Sequence, residues 1–213
     1  MYTKDLVPFF LLLNRYYARM LTRISPSEWA AITAYRDYVR TQDSDIDSKR
    51  ETEQDHTSSD LPQACGKQIE QAIERIARAS EEDAIELEYE FNRLFVGPDK
   101  PQAAPYETVY VSSERVLMRH HTLEVRKAYR QQGFEVQALN TEPDDHAAYE
   151  CAFAAALLER QDENSKVAFE DFMEKHLTRW VGAHTAEIRA NTANEICIGF
   201  ADLFDAAVAA ASA

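Results

Sequence analysis

Glu142-Pro143-Asp144-Asp145-His146 runs directly into Ala147 to Gln161, a stretch of strongly helical composition. A proline is tolerated in a first helical turn, where its missing N–H has no intrahelical partner to lose. Thr141, three residues before Asp144, reads as a capping box. Glu142, Asp144 and Asp145 at a helix start are favoured by the helix dipole, by roughly 0.3–1 kcal/mol each when exposed. Capping does not explain a histidine placed directly after two aspartates. Proton chemistry or a cationic partner would both use such a group, and the pentapeptide alone leaves the two open.

The surrounding chain supports a helical reading. Of 213 residues 45% are hydrophobic, and only 5 are Gly and 7 Pro, fewer than average usage supplies. The one strand-like piece, Thr108-Val109-Tyr110-Val111, is too short to build a sheet. The expected fold is all-α: a single globular bundle of about eight to ten helices in two closely packed subdomains, residues 1–133 and 143–213, with a hinge at 134–142. Leu6, Phe9, Phe10, Leu13, Tyr16, Tyr17, Met20 and Leu21 repeat with helical spacing. Ser25-Pro26-Ser27-Glu28 opens a second helix to about Arg40. Further helices are expected over about 63–79, 84–96, 113–132, 143–161, 163–181 and 183–210, with Gly133 just past the end of one of them. Residues 41–62 read as a flexible acidic loop or linker.

Net charge is −14, with a sequence pI of about 4.8. That argues against nucleic acid, which needs clustered Lys and Arg, and suits a basic peptide or protein partner. Seven acids against two bases make residues 41–60 net −5, so the remainder carries −9. Cys65, Cys151 and Cys197 are far apart and lack a C-x-x-C spacing. They read as free buried thiols of a reducing compartment. Leu6 to Leu13 is apolar for only eight residues and contains Pro8. That is too short for a membrane span and unlike a signal peptide, so cytoplasm is the expected location.

A second motif precedes the first by some 45 residues. Tyr89-Glu90-Phe91-Asn92-Arg93-Leu94-Phe95-Val96-Gly97-Pro98 leads into Ala104-Pro105-Tyr106-Glu107-Thr108-Val109-Tyr110. By spacing alone these aromatics are core residues or the lining of an apolar groove. Taken with Glu142–His146, the pattern resembles the TorD/DmsD family of chaperones that mature molybdenum enzymes. That family has a helix ending Leu-Phe-x-Gly-Pro, then an Ala-Pro-Pro-aromatic-x-Ser-x-Tyr loop, then Glu-Pro-x-Asp-His. Phe172, His176, Leu177 and Trp180 are similar to its Phe-x-x-x-His-Leu-x-x-Trp helix, and Phe200, Leu203 and Phe204 suit its last helix. The resemblance covers about residues 6–208. Ala104 replaces the first of two prolines, and Thr108 replaces the usual serine.

The resemblance implies a non-enzymatic cytoplasmic chaperone without a cofactor of its own. Its partner would be an apo-molybdoenzyme catalytic subunit and that subunit's twin-arginine signal peptide. The implied role is to assist cofactor insertion and hold back export until maturation is complete. The implied peptide-binding residues are Leu94, Phe95, Pro98, Pro105, Tyr106 and Tyr110 for an apolar groove. Glu142, Pro143, Asp144, Asp145 and His146 complete the implied set, with Asp145 and His146 expected at the groove mouth and Asp144 and Asp145 as the carboxylates that would accept arginine bidentately. The client is unnamed by the sequence, and the oligomer is a monomer or a dimer exchanging helical halves. Three other readings stand beside this one. The chaperone binds the body of a leaderless partner, or the chain is a plain helical interaction module with the acidic loop as its contact, or it is a metal-binding helical enzyme using pairs such as His146 with Glu150, or His120 and His121 with Glu124. No phosphate loop or nucleophile elbow supports other enzyme classes.

Overall fold

The computed structural model describes residues 4–18, 63–78, 83–98, 100–112, 117, 120–137 and 142–213. The expected helix ending near Arg40, the acidic loop at 41–62, Cys65's side chain and Thr141 lie outside the described residues.

Helix α1, Val7–Ala18, buries Phe9, Phe10, Leu12, Leu13, Tyr16 and Tyr17, the face its spacing predicts. It packs along α6, Ala147–Arg160, and Asn14 Nδ2 donates to the Ala148 carbonyl at 2.8 Å across that contact. Helix α2, Gln63–Ile76, packs along the last helix, α9, Glu195–Ala211. Gly199 makes that approach close: a Cβ there would sit 2.9 Å from Ile76 Cγ1 and 3.3 Å from the Ala72 carbonyl. The Asn194 side chain caps α9, accepting from the Ile196 and Cys197 N–H groups.

Helix α3, Ala84–Phe91, continues into a π turn, Asn92–Val96, and stops at Gly97 with φ 105°, a conformation glycine adopts without strain. Helix α4 is short, Glu107–Val111. Helix α5, His120–Gln131, is followed by Gly133 at φ 77°, as expected from the sequence. Helix α7, Glu163–Phe172, passes through a second π turn, Met173–Leu177, into α8, Thr178–Asn191. A π turn frees carbonyls from the helical ladder, and the Thr178 hydroxyl donates to that of Met173 at 2.9 Å.

The fold is all-α, and among the described residues extended pairing is confined to one antiparallel bridge, Tyr106 with His146. One continuous core takes residues from every helix but α4, and from both sides of residues 134–142. Tyr16 stacks on Phe200 at 3.8 Å and 9°, and Trp180 is fully buried. Each such side chain contributes about 1.5–3 kcal/mol by burial.

Four boundaries differ from expectation. Thr108 to Val111 is helical, not strand-like. The helix expected over 113–132 is described from His120. The break expected near residue 182 falls at 192–194, where Asn194 supplies the next cap. Helix α6 begins at Ala147 rather than at Pro143, because the Asp144 and Asp145 carbonyls are bonded to Tyr129 and Glu107 and His146 is the cap.

Candidate functional site

The two sequence motifs meet along a seam. The Glu107 N–H donates to the Asp145 carbonyl at 3.0 Å, and the Ala147 N–H donates to the Pro105 carbonyl at 2.9 Å. The Asp145 side chain extends the zipper: its Oδ2 accepts from the Thr108 N–H at 2.9 Å and the Thr108 hydroxyl at 2.5 Å. Both donors lie in the first turn of α4, where unpaired N–H groups favour a carboxylate. His146 caps α6, its Nδ1 accepting from the Ala148 N–H at 3.1 Å. That nitrogen is therefore unprotonated, and a neutral His146 carries its proton on Nε2. Burial lowers the His146 pKa from 6.5 to about 4.

The neighbouring acids are matched one by one. Arg126 of α5 donates to Asp144 Oδ2 through Nε at 3.0 Å and Nη2 at 2.7 Å. The Tyr129 hydroxyl donates to the Asp144 carbonyl at 3.1 Å. Tyr106 donates to Glu142 at 2.7 Å, and burial, then that bond, push its phenol upward.

Beneath the seam lies a second polar layer. Glu107 is fully buried and its Oε2 accepts from His176 Nδ1 at 2.8 Å. Glu150 is also fully buried, and its Oε2 accepts from the Trp180 indole N–H at 3.1 Å. Burial, and then the Glu107 charge, raise the Glu150 carboxyl well above the carboxylate range. Beside it a directed chain crosses the core. Tyr110 donates its proton to Glu187 at 2.9 Å, so at the 3.1 Å contact His184 Nδ1 is the donor. His184 Nε2 then accepts from the Tyr17 hydroxyl at 2.9 Å. Burial drops the His184 pKa from 6.5 to about 3, keeping the ring neutral.

The expected site residues divide accordingly. Tyr106, Glu142, Asp144, Asp145 and His146 are brought together, with Pro105 and Pro143 buried beside them. Tyr110 and Glu142 are half-buried and Pro98 is exposed. Leu94 and Phe95 are core residues instead of surface lining; Phe95 packs edge-on against Tyr16 and Tyr17. Asp145 and His146, expected at a groove mouth, are interior, 0% and 3% exposed. The backbone pairing of residues 105–107 with 145–147 draws them inward.

Sequence reasoning missed Arg126, Tyr129, Glu107 and His184. Glu107 lies within the second motif, but an acid there reads as solvated until its helix is seen packed. Arg126 belongs to a basic helix face with no distinguishing spacing.

Glu150 faces Trp180, not His146, while His120 and His121 both lie near Glu124, at 3.3 and 3.1 Å. Among the described residues no group of three or more His, Cys, Asp or Glu is arranged to hold a metal. No described helix is long and apolar enough to cross a membrane.

A family model described as nitrate reductase delta subunit matches residues 58–186. The chain is 29% identical over 131 residues to the chaperone protein TorD of Vibrio cholerae, 57% of this chain and 59% of that protein. It is 32% identical over 98 residues to TorD of Aliivibrio salmonicida, 45% and 46% of the two chains. It is 30% identical over 90 residues to the Tat proofreading chaperone DmsD of Salmonella typhimurium, 42% and 43% of the two chains. The chain thus spans about three fifths, or less, of the length of these curated relatives.

Proposed function

Because the chain belongs to the TorD/DmsD family, matched over residues 58–186, we propose that it is a cytoplasmic, client-specific chaperone for a molybdoenzyme catalytic subunit. In this reading it binds the apoprotein, assists cofactor insertion and holds back export. Its part is non-catalytic. The observation that carries the reading is the seam: the Pro105–Val111 corner and the Glu142–His146 turn share backbone and side-chain bonds. Beside its buried acids the seam keeps Glu142 and Tyr110 half-exposed. A twin-arginine leader has the matching chemistry, two guanidinium groups followed by an apolar stretch. The net charge of −14 draws a cationic peptide from a distance.

A second reading has its own observation. Asp144 is already held by Arg126, and Asp145 is interior. Recognition of the client's folded body needs neither carboxylate free. The two readings separate in one experiment. Tagged protein is used to capture the client catalytic subunit, with and without its leader, and partners are identified by mass spectrometry. In parallel a twin-arginine leader peptide, and the same peptide with both arginines changed to glutamine, are titrated by calorimetry. Arginine-dependent binding supports leader recognition. Capture that is indifferent to the leader, with no peptide binding, supports the body. Failure to capture any molybdoenzyme subunit sinks the chaperone reading.

A further inference from the structure

Glu107 and Glu150 are both 0% exposed. Glu107 Oε1 and Glu150 Oε1 are buried without a donor, although the other oxygen of each carboxyl is bonded, to His176 and to Trp180. Their bonded partners, His176 and Trp180, stand four residues apart on one helical segment, which sets the two carboxyls side by side. Two ionised carboxylates could not bond there, because neither has a proton to donate. Two like charges in a low-dielectric interior also repel strongly.

We propose that Glu107 and Glu150 form a one-proton site, Glu150 donating its O–H to Glu107, and that this proton locks α4 onto α6 beneath the seam. The inference stands apart from the chaperone reading, since it uses only this geometry. A proton on Glu150 gives both orphaned oxygens a partner. It leaves a single charge on Glu107, facing His176. The lock joins the two segments that the backbone zipper already pairs, so losing the proton opposes the zipper from below.

The groups facing the pair are few. Glu107 comes from α4 and His176 from the second π turn. Helix α6 supplies Glu150, Cys151 and the capping His146, and α5 supplies Tyr129. The preceding turn adds Asp145 and the Arg126-bound Asp144, and α8 adds Trp180, which packs against His184. Among the described residues, His176 is the only basic side chain bonded to the pair, and its Nδ1 is committed to Glu107. Glu150 is bonded to Trp180 and to no basic side chain among the described residues.

The sign follows. Glu150 keeps its proton in the folded chain at a pH where the unfolded chain has lost it. Stability from the pair is fully present in acid and declines as pH rises above the ordinary glutamate range. Glu150→Gln keeps the shape, the acceptor for Trp180 and an N–H for Glu107, but has no proton to lose. Melting curves of the full chain and of Glu150→Gln are to be compared between pH 5 and 9. The native Tm is expected to fall relative to the variant, the gap changing by about 4 °C or more over this range. Infrared spectra at neutral pH provide a direct readout. The carbonyl band of a protonated carboxylic acid is expected in the native chain and lost in Glu150→Gln. Glu107→Gln should lose it as well, because Glu150 then ionises against two N–H donors. Parallel melting curves, or no such band in the native chain, would overturn the proposal.

Discussion

Arg126 holds Asp144 side-on, both Nε and Nη2 donating to the same Oδ2, at 3.0 and 2.7 Å. The first aspartate of the Glu142–His146 motif is thus filled by a resident guanidinium, with the carboxylate buried and the arginine side chain 19% exposed. Any guest arginine that seeks Asp144 competes with a neighbour already in place.

Arg126→Gln is expected to strand that buried charge. Removing one partner of a buried pair costs about 3 kcal/mol or more. Urea unfolding of Arg126→Gln should show this loss, and the double variant with Asp144→Asn should recover part of it. Additive losses would mean that the pair is not coupled.

Acid should weaken the fold before carboxylates titrate. His146 is held down to about 4 and His184 to about 3, against 6.5 for a free histidine. Unfolded chains therefore take up protons that the folded chain refuses, and stability falls as pH drops below about 6.5. Protonating His146 Nδ1 also removes the cap it provides to the Ala148 N–H. Nitrogen NMR at pH 5 is expected to find both rings neutral, His146 protonated at Nε2 and His184 at Nδ1. A charged imidazolium at either position would contradict these assignments.

Gly199→Ala should destabilise although alanine is the better helix former by about 1 kcal/mol. The added Cβ would meet Ile76 Cγ1 at 2.9 Å and the Ala72 carbonyl and Arg75 Cγ at 3.3 Å. Overpacking costs about 1–3 kcal/mol, so a net loss of up to about 2 kcal/mol is expected in thermal unfolding. A variant of equal or greater stability would show that α2 and α9 part easily.

Thr108→Val keeps the shape of the side chain and removes its hydroxyl. Asp145 then loses one of the two donors that Thr108 provides, and Thr122 loses its contact at 3.2 Å. The expected cost is about 1.5–3 kcal/mol, the range for bonds to charged groups. Exchange of the Glu107 and Ala147 amide protons should quicken, as both lie in the seam.

The helical class was legible because apolar spacing repeats along α1, α6 and α9, and because glycine and proline are scarce. Gly133 marked a helix end correctly, by the conformation only glycine adopts cheaply. Thr108 to Val111 misled, since β-branched residues were read for local preference while the seam bonds hold them as a helical turn. The start of α6 was misjudged for a related reason. Thr141 and Pro143 suit a helix start, but the backbone of residues 145–147 pairs with residues 105–107 first. Of the site, the residue types and their meeting were readable from the motifs. Their depth was not, because burial of acids depends on partners such as Arg126, Thr108 and His176, each brought in from another element.

The π turn at Met173–Leu177 has a consequence for chain length. One added residue turns everything downstream by about 100° about the helix axis. Phe169 and Phe172 lie before that phase change, and Trp180 and His184 after it, yet all four are buried. Deleting a single residue there would leave each half amphipathic by itself while swinging Trp180 off Glu150 and His184 off its two tyrosines. Proteins that share this arrangement are therefore held to a fixed residue count between Phe172 and Trp180, a constraint on spacing that operates independently of which side chains fill it.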